Sequence, residues 1–190
     1  MNSGIFANRI AKVVLNPSEN WKKCHFNEVN YKKEFRICFT IALSLVFVAR
    51  IFGKTMTYLP SSSIQYILLY SLISTFVDLL CFICINFILY KIIPYYNIQA
   101  SKLKVAILIF ATLIPFYLSI IIANLFPSIF FLTIISLYGL YILYWGLVDY
   151  LKLKRKDLTV FYIITIILLV GLYTILHFVI IFPFFDFISQ

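Results

Sequence analysis

The sequence is short of charged residues and of glycine. Only 12% of its 190 residues are charged, against about 25% in an ordinary soluble domain, whereas 63% are hydrophobic and the mean hydropathy is +1.01. Glycine is scarce and no segment is low in complexity, so neither a linker nor a disordered tail is evident. This composition excludes an ordinary soluble domain and predicts a membrane protein.

Two further absences exclude other classes of membrane or exported protein. Strands of a membrane barrel are runs of about ten residues that alternate strictly between apolar and polar, and no part of this chain alternates in that way. Residues 1–34 contain no uninterrupted apolar segment followed by a small-residue cleavage site, which argues against a secretory signal peptide. We therefore expect an α-helical membrane protein whose mature chain begins at Met1.

Motifs of catalysis and of metal binding are also missing. There is no nucleophile elbow, P-loop, H-E-x-x-H motif or paired-carboxylate motif, so the sequence indicates neither an enzyme nor a cofactor. Cys81 and Cys84 are spaced C-x-x-C, but a structural zinc site needs four ligands and no second cysteine pair exists. Thiols within an apolar segment are poorly ionised, so we interpret both as small packing residues.

The chain does contain long apolar runs. Crossing a hydrocarbon core of about 30 Å takes roughly 20 helical residues, and five runs have that length: residues 35–59, 64–90, 103–126, 129–149 and 159–182. The prediction is an all-α polytopic membrane helical bundle, with a five-span membrane domain over residues 35–190.

Residues 1–34 are predicted to form a basic, amphipathic helical segment on the cytoplasmic side. Apolar residues recur there at helical spacing, as they do in helices that lie in a membrane interface: Ile5, Phe6, Ile10, Val13 and Val14. This helix should stop before Pro17, because the residue preceding a proline avoids the helical region. In "NPSENW" a second helix is predicted to start, since Asn16 suits the cap and Pro17 the first helical position.

The basic residues predict the orientation in the membrane. The net charge is +9, and fourteen of the sixteen lysines and arginines lie on the side that carries the N-terminus: Arg9, Lys12, Lys22, Lys23, Lys32, Lys33, Arg36, Lys91, Lys102, Lys104, Lys152, Lys154, Arg155 and Lys156. Because cytoplasmic loops are enriched in Lys and Arg, we expect a cytoplasmic N-terminus and an external C-terminus. Anionic lipid at the cytoplasmic face explains the positive charge, and nucleic acid is not required. Cys24 and Cys38 then lie at the reducing side, where no structural disulfide is expected.

Ionisable and amide side chains within the apolar runs form a candidate intramembrane polar site. They are Arg50, Asp78, Asn86 and His177. Such residues are costly in lipid and mark functional sites by default. Arg50 lies about 21 Å above Arg36 and Asp78 about 21 Å below Ile64, which leaves about 12 Å between them in a core of about 30 Å. The second run is long enough to shift by about 10 Å. A direct pair, a water-bridged pair and a protonated Asp78 are therefore all allowed.

Small residues mark one face of the fourth run. Ser136, Gly139 and Gly146 are separated by three and seven residues, so they share a helix face. Small residues on one face allow membrane helices to approach closely. We expect this face to contact a neighbouring span.

The overall pattern resembles the YIP family of Ypt-interacting-protein-like membrane proteins, particularly its small prokaryotic members. The resemblance covers roughly residues 16–180 and rests on the basic segment with "NPSENW", the five runs, and the stretch "LKVAILIFATLIPFYLSIIIANLFPSIFFLTIISLYGLYILYWGL". Within it, the matching residues are Pro115, Pro127, Tyr138, Tyr141 and the pair Gly146 and Leu147.

The resemblance implies a five-span helical bundle without known catalysis, in the inner membrane of a prokaryotic-type cell. Eukaryotic members of the family take part in vesicle trafficking and contact prenylated Rab-type GTPases. This chain lacks their long cytoplasmic N-terminal domain and "DLYGP"-type motif, so that role is not carried over.

Three functional hypotheses follow. The first is a non-catalytic membrane protein that organises lipid or partner proteins, or its own oligomer, through the bundle and its basic cytoplasmic face. The second is a small transporter or permeation subunit that uses Asp78, Arg50 and His177 along a polar path. A lipid-modifying enzyme is third, since no nucleophile or metal cluster is recognisable.

Overall fold

The computed structural model describes residues 3–23, 28–58, 64–181 and 183, and within these ranges the chain forms helices and turns but no strand. The α-helices are α1 (Ser3–Leu15), α2 (Pro17–Lys23), α3 (Glu28–Tyr58), α4 (Ile64–Ile92), α5 (Lys102–Leu125), α6 (Tyr138–Trp145) and α7 (Arg155–Leu176). A 3₁₀ turn follows α4 at Ile93–Tyr96, and a 3₁₀ segment over Pro127–Leu137 precedes α6. One π-turn follows α6 at Gly146–Tyr150 and another follows α7 at His177–Ile181.

Among the described residues, five helical segments are long and apolar enough to span a membrane: Tyr31–Thr57, Ile64–Tyr96, Lys102–Leu125, Phe131–Tyr150 and Arg155–Ile181. The predicted all-α class and five helices of spanning length are confirmed, since each segment overlaps one of the predicted runs. The first, second and fifth segments extend beyond their predicted runs at one end by four, six and four residues, and the third and fourth by one residue each. The longer extensions occur because the helices continue through the basic residues at the membrane boundary. The predicted ends at residues 59 and 182 lie outside the described residues.

The fourth span is not one regular helix. It begins in the 3₁₀ segment, continues through α6 and ends in the first π-turn. The connection from α5 is tight, since the amide of Phe126 donates to the carbonyl of Ile122 at 2.8 Å and the next helical residue is Pro127. Such a short connection forces α5 and the fourth span to run antiparallel and side by side.

Three glycines determine how closely helices pack in this hairpin and beside it. A Cβ atom at Gly139 would collide with the backbone carbonyl of Thr112 on α5, and one at Gly53 of α3 would collide with the backbone of Asn124. A Cβ atom at Gly146 would meet the side chains of Leu108 and Trp21. The small-residue face predicted for the fourth run therefore contacts α5.

The two N-terminal helices pack on the bundle. Phe6, Ile10 and Val13 of α1 are buried, and Trp21 of α2 is 1% exposed. The Trp21 indole donates to the carbonyl of Ile142 at 3.2 Å, and its ring stacks on that of Tyr150 at 4.7 Å between centroids. The apolar face of α1 therefore packs against the end of the bundle.

The turn between α1 and α2 is held by asparagine side chains. The Asn20 side-chain amide donates to the carbonyls of Lys12 at 3.0 Å and Asn16 at 2.9 Å, each of which also accepts from a backbone amide, and so links α2 to the end of α1. Helix α2 begins at Pro17. The predicted stop before Pro17 and restart at it are confirmed.

Four phenylalanines form an aromatic cluster between α3, α4 and α5, on the side of the bundle that carries α1. Its members are Phe35, Phe39, Phe82 and Phe110. The rings of Phe39 and Phe82 lie 4.3 Å apart, and that of Phe110 meets Phe39 edge-on at 5.8 Å. We call the end of the bundle that carries α1, α2 and the fourteen basic residues the basic end, and the other the opposite end.

Candidate functional site

The candidate site lies where α3 and α4 bring two charges together. On α3, Val46, Ala49, Arg50 and Gly53 are buried and recur at helical spacing, so Arg50 points toward the bundle interior. On α4, Asp78 is buried as well and is 3% exposed. The same periodicity that buries the apolar residues of each helix thus places both charged residues on the inner faces.

Arg50 and Asp78 form a direct ion pair. The Arg50 Nη1 atom lies 2.8 Å from Asp78 Oδ2, and the two side chains are 7% and 1% exposed. Apart from this ion pair, neither carboxylate oxygen has a hydrogen-bond partner among the described residues. Of the three arrangements that the sequence allowed, the structure has the direct pair.

The register of the two helices explains how the pair forms. Helix α3 ends at Tyr58, about 12 Å beyond Arg50, whereas α4 begins at Ile64, about 21 Å before Asp78. Over the described residues, α4 therefore extends about 9 Å further than α3 at the opposite end. This shift, which the length of the second run permits, removes the difference in depth expected from the sequence.

Thr75 supports the arginine from the same helix that carries the aspartate. The Arg50 guanidinium donates from Nη1 to Thr75 Oγ1 at 3.1 Å, and the Thr75 hydroxyl donates to the carbonyl of Ser71 at 2.8 Å. This relay of hydrogen bonds fixes the guanidinium between two successive turns of α4. Arg50 is thereby held by a charge and by a neutral acceptor, which limits the number of side-chain conformations open to it.

Three further side chains lie within electrostatic range of the ion pair: Tyr117 of α5, Tyr173 of α7 and His177 at the start of the second π-turn. The His177 ring packs on that of Tyr173 with centroids 3.9 Å apart, and His177 Nδ1 lies 3.0 Å from the Tyr173 carbonyl oxygen. Because a carbonyl oxygen only accepts, Nδ1 carries the hydrogen in this contact.

Asn86 is not part of this group. It lies two turns from Asp78 along α4, about 12 Å toward the basic end. Its amide nitrogen donates to the carbonyl of Phe82 on its own helix at 2.8 Å. The structure thus joins Arg50 to Asp78 directly, places His177 within electrostatic range of the pair and leaves Asn86 apart.

Several residues of the site were not predicted. Ser71, Ser74 and Thr75 precede Asp78 at spacings of seven, four and three residues, so a helical wheel drawn around Asp78 would have found them. Tyr117 carries no such signal, because it is one of many aromatic residues in the spans and only packing places it near Asp78.

The three cysteines that the structure describes do not form a recognisable ligand set. Cys81 is buried, and Cys38 and Cys84 are half-buried, all three as free thiols. Among the described residues, no three His, Cys, Asp or Glu side chains come close enough to hold a metal ion. Cys24 lies outside the described residues.

No family model matches the chain, and searches of curated proteins and of solved structures return no match.

Proposed function

We propose that the protein is a non-catalytic, multi-pass membrane protein of the YIP-like type that organises anionic lipids and partner proteins at its basic end. The observation that carries this proposal is the ion pair between Arg50 and Asp78. These two charged residues suggested transport when only the sequence was considered, and in the structure they bind each other. Arg50 and Asp78 neutralise each other at 2.8 Å and are almost completely buried. In the proposed role, this ion pair stabilises the packing of α3 against α4 inside the bundle.

The energetics of the pair support a structural role. A single charged residue at the centre of a membrane helix costs about 3 kcal/mol on insertion scales, and removing one partner of a buried pair typically costs 3–5 kcal/mol. The pair therefore couples α3 to α4 strongly, because neither helix can move away without leaving a charge unpartnered in an apolar medium.

The basic end supplies the binding surface in this proposal. Of the fourteen basic residues there, all except Arg9 and Lys104 are exposed. Each lysine or arginine near an anionic lipid surface contributes about 1 kcal/mol of attraction. Several of their ammonium groups lie over aromatic rings at the same level, such as Lys22 over Trp145 at 5.8 Å and Lys102 over Tyr90 at 5.3 Å. Aromatic residues with neighbouring lysines are typical of the headgroup region.

The proposed location is the cytoplasmic membrane, with the basic end and the N-terminus inside. The asymmetry in basic residues supports this orientation. The YIP-like pattern supports the prokaryotic-type inner membrane.

Lipid selectivity of the purified protein tests the proposal. We expect phosphatidylglycerol to raise the melting temperature in detergent by several degrees more than phosphatidylcholine does. Replacing Lys152, Lys154 and Lys156 together by glutamine should remove a large part of this difference. Lys54→Gln, at the opposite end, is the matched control. Equal stabilisation by both lipids, or an equal loss with Lys54→Gln, would contradict the proposal.

A small transporter is the second candidate, because charged and hydroxyl side chains do meet inside the bundle. Flux measurements in proteoliposomes distinguish the two roles. Proton or alkali-cation flux that the wild-type protein supports and Asp78→Asn abolishes would replace the organising role by transport.

A further inference from the structure

Beside the ion pair, α4 presents a stripe of buried polar groups. Ser71, Ser74 and Asp78 are 0%, 2% and 3% exposed and recur at intervals of three and four residues, so they lie on one face of the helix. Tyr117 of α5, which is 4% exposed, lies within electrostatic range of Asp78. Four polar side chains from two helices are thus buried in one region.

None of these side chains has a hydrogen-bond partner among the described residues. This holds for the hydroxyl oxygens of Ser71, Ser74 and Tyr117 and for the second carboxylate oxygen of Asp78, Oδ1. Other buried hydroxyls in the same spans are satisfied by their own helices. Thr165 donates to the carbonyl of Phe161 at 2.8 Å, and Thr112 to that of Leu108 at 3.0 Å. Five of the nine buried side-chain atoms without a partner among the described residues belong to this region, and the other four, on Glu34, Asn86, Trp145 and Asp149, lie toward the basic end.

Buried polar groups in native proteins nearly always have partners, which are either protein groups or ordered water. The charges of this site decide which ligand fits. A cation near Asp78 would be repelled by Arg50, and an anion near Arg50 would be repelled by Asp78. The remaining groups are three hydroxyls, which donate and accept, and one carboxylate oxygen, which accepts. Water is a neutral ligand that can both donate and accept, and a buried water typically makes about three hydrogen bonds.

A cavity of about 250 Å³ lies between α4, α5, the fourth span and α7, and Cys81 and Tyr173 are in its wall. Cys81 is one turn from Asp78 on the side toward the basic end, and none of the four polar side chains lines this cavity. Water bound by the four side chains would therefore be enclosed by α4 and α5 and separate from this cavity. Toward the basic end, the aromatic cluster defined above offers no polar partner that would continue such a water cluster.

We propose that Ser71, Ser74, Tyr117 and Asp78 hold a cluster of bound water inside the bundle, on the side of the ion pair away from the aromatic cluster. The water satisfies the hydroxyls and hydrates the free oxygen of Asp78. This hydration lets the ion pair remain charged in an otherwise apolar environment. The inference is independent of the proposed role in organising lipids and partners, because it concerns only the interior.

Water-edited solid-state NMR on the isotope-labelled protein in liposomes tests it. In this experiment polarisation passes from water to nearby carbons, and the Asp78 carboxyl signal is identified by its loss in Asp78→Asn. We expect the early transfer to Asp78 to exceed that to the ring of Phe82 at least threefold. The double variant Ser71→Ala with Ser74→Ala should reduce the transfer to Asp78 at least twofold. Thr165→Val, which removes a buried hydroxyl that is already satisfied, should leave it unchanged.

The wild-type measurement decides the question even if the double variant does not fold. Transfer to Asp78 as slow as that to Phe82 would overturn the proposal. So would a folded double variant with undiminished transfer to Asp78, or a loss of the same size in Thr165→Val. Lipid selectivity at the basic end would be unaffected by any of these results.

Discussion

At the scale of single residues, a guanidinium and a carboxylate in contact cost less in an apolar bundle than either does alone. Arg50 and Asp78 satisfy this condition across two helices, and the Thr75 hydroxyl accepts a further hydrogen bond from the arginine. The presence of two charged residues in apolar runs could be read from the sequence. That they touch could not, because their contact depends on the relative height of α3 and α4.

The ion pair should show strong thermodynamic coupling. We expect Asp78→Asn and Arg50→Gln to lower the free energy of unfolding in detergent by about 3–5 kcal/mol each, because each leaves one buried charge unpartnered. The double variant should lose clearly less than the sum of the two. A double-mutant cycle of denaturant unfolding measures the coupling energy.

Thr75→Val is the matched control for this cycle, since it removes the neutral acceptor of Arg50 and the hydroxyl's bond to the Ser71 carbonyl but no charge. We expect a loss of about 1.5–3 kcal/mol, the usual net value of a hydrogen bond to a charged group. Single-variant losses that add up without coupling would contradict the role assigned to the pair.

At the scale of elements, close helix contacts depend on glycine. Gly139 places the fourth span directly against the α5 backbone at Thr112, whereas no atom of the described residues lies within 4 Å of a Cβ atom built at Gly171 of α7. The face of small residues on the fourth run was predicted from spacing alone. Its partner was not, because spacing defines a face and not the helix that meets it.

Alanine at these two positions should have opposite outcomes. Gly139→Ala forces a methyl group against a backbone carbonyl, which side-chain motion cannot relieve, so we expect a loss of about 1–3 kcal/mol in the free energy of unfolding. Gly171→Ala should be neutral or slightly stabilising, because it meets open space and alanine favours helix more than glycine does. Thermal melts of both variants in one detergent make the comparison. A neutral Gly139→Ala would show that the fourth span can move away from α5.

At the scale of the whole molecule, charge is distributed toward one end of the bundle. Lys152 is exposed at the basic end and Met56 at the opposite end. If the basic end is cytoplasmic, a membrane-impermeant maleimide added to intact cells should label a cysteine at position 56 and leave one at position 152 unlabelled. Permeabilised cells, in which both should react, provide the control, in a background without the native cysteines. Labelling at position 152 alone in intact cells would reverse the proposed orientation.

The sequence by itself determined the helical class, the five spans and their approximate limits, because the length and hydropathy of a run depend only on neighbours in the chain. It also determined which residues are expensive to bury. Tertiary structure decided which of those residues meet. Arg50 contacts Asp78 because α4 is displaced relative to α3. Tyr117 and His177 come within electrostatic range of the pair because α5 and the π-turn after α7 pack on α4. Asn86 stays apart because it lies two turns along the same helix. Such contacts depend on register and packing between distant segments, and no local pattern specifies either.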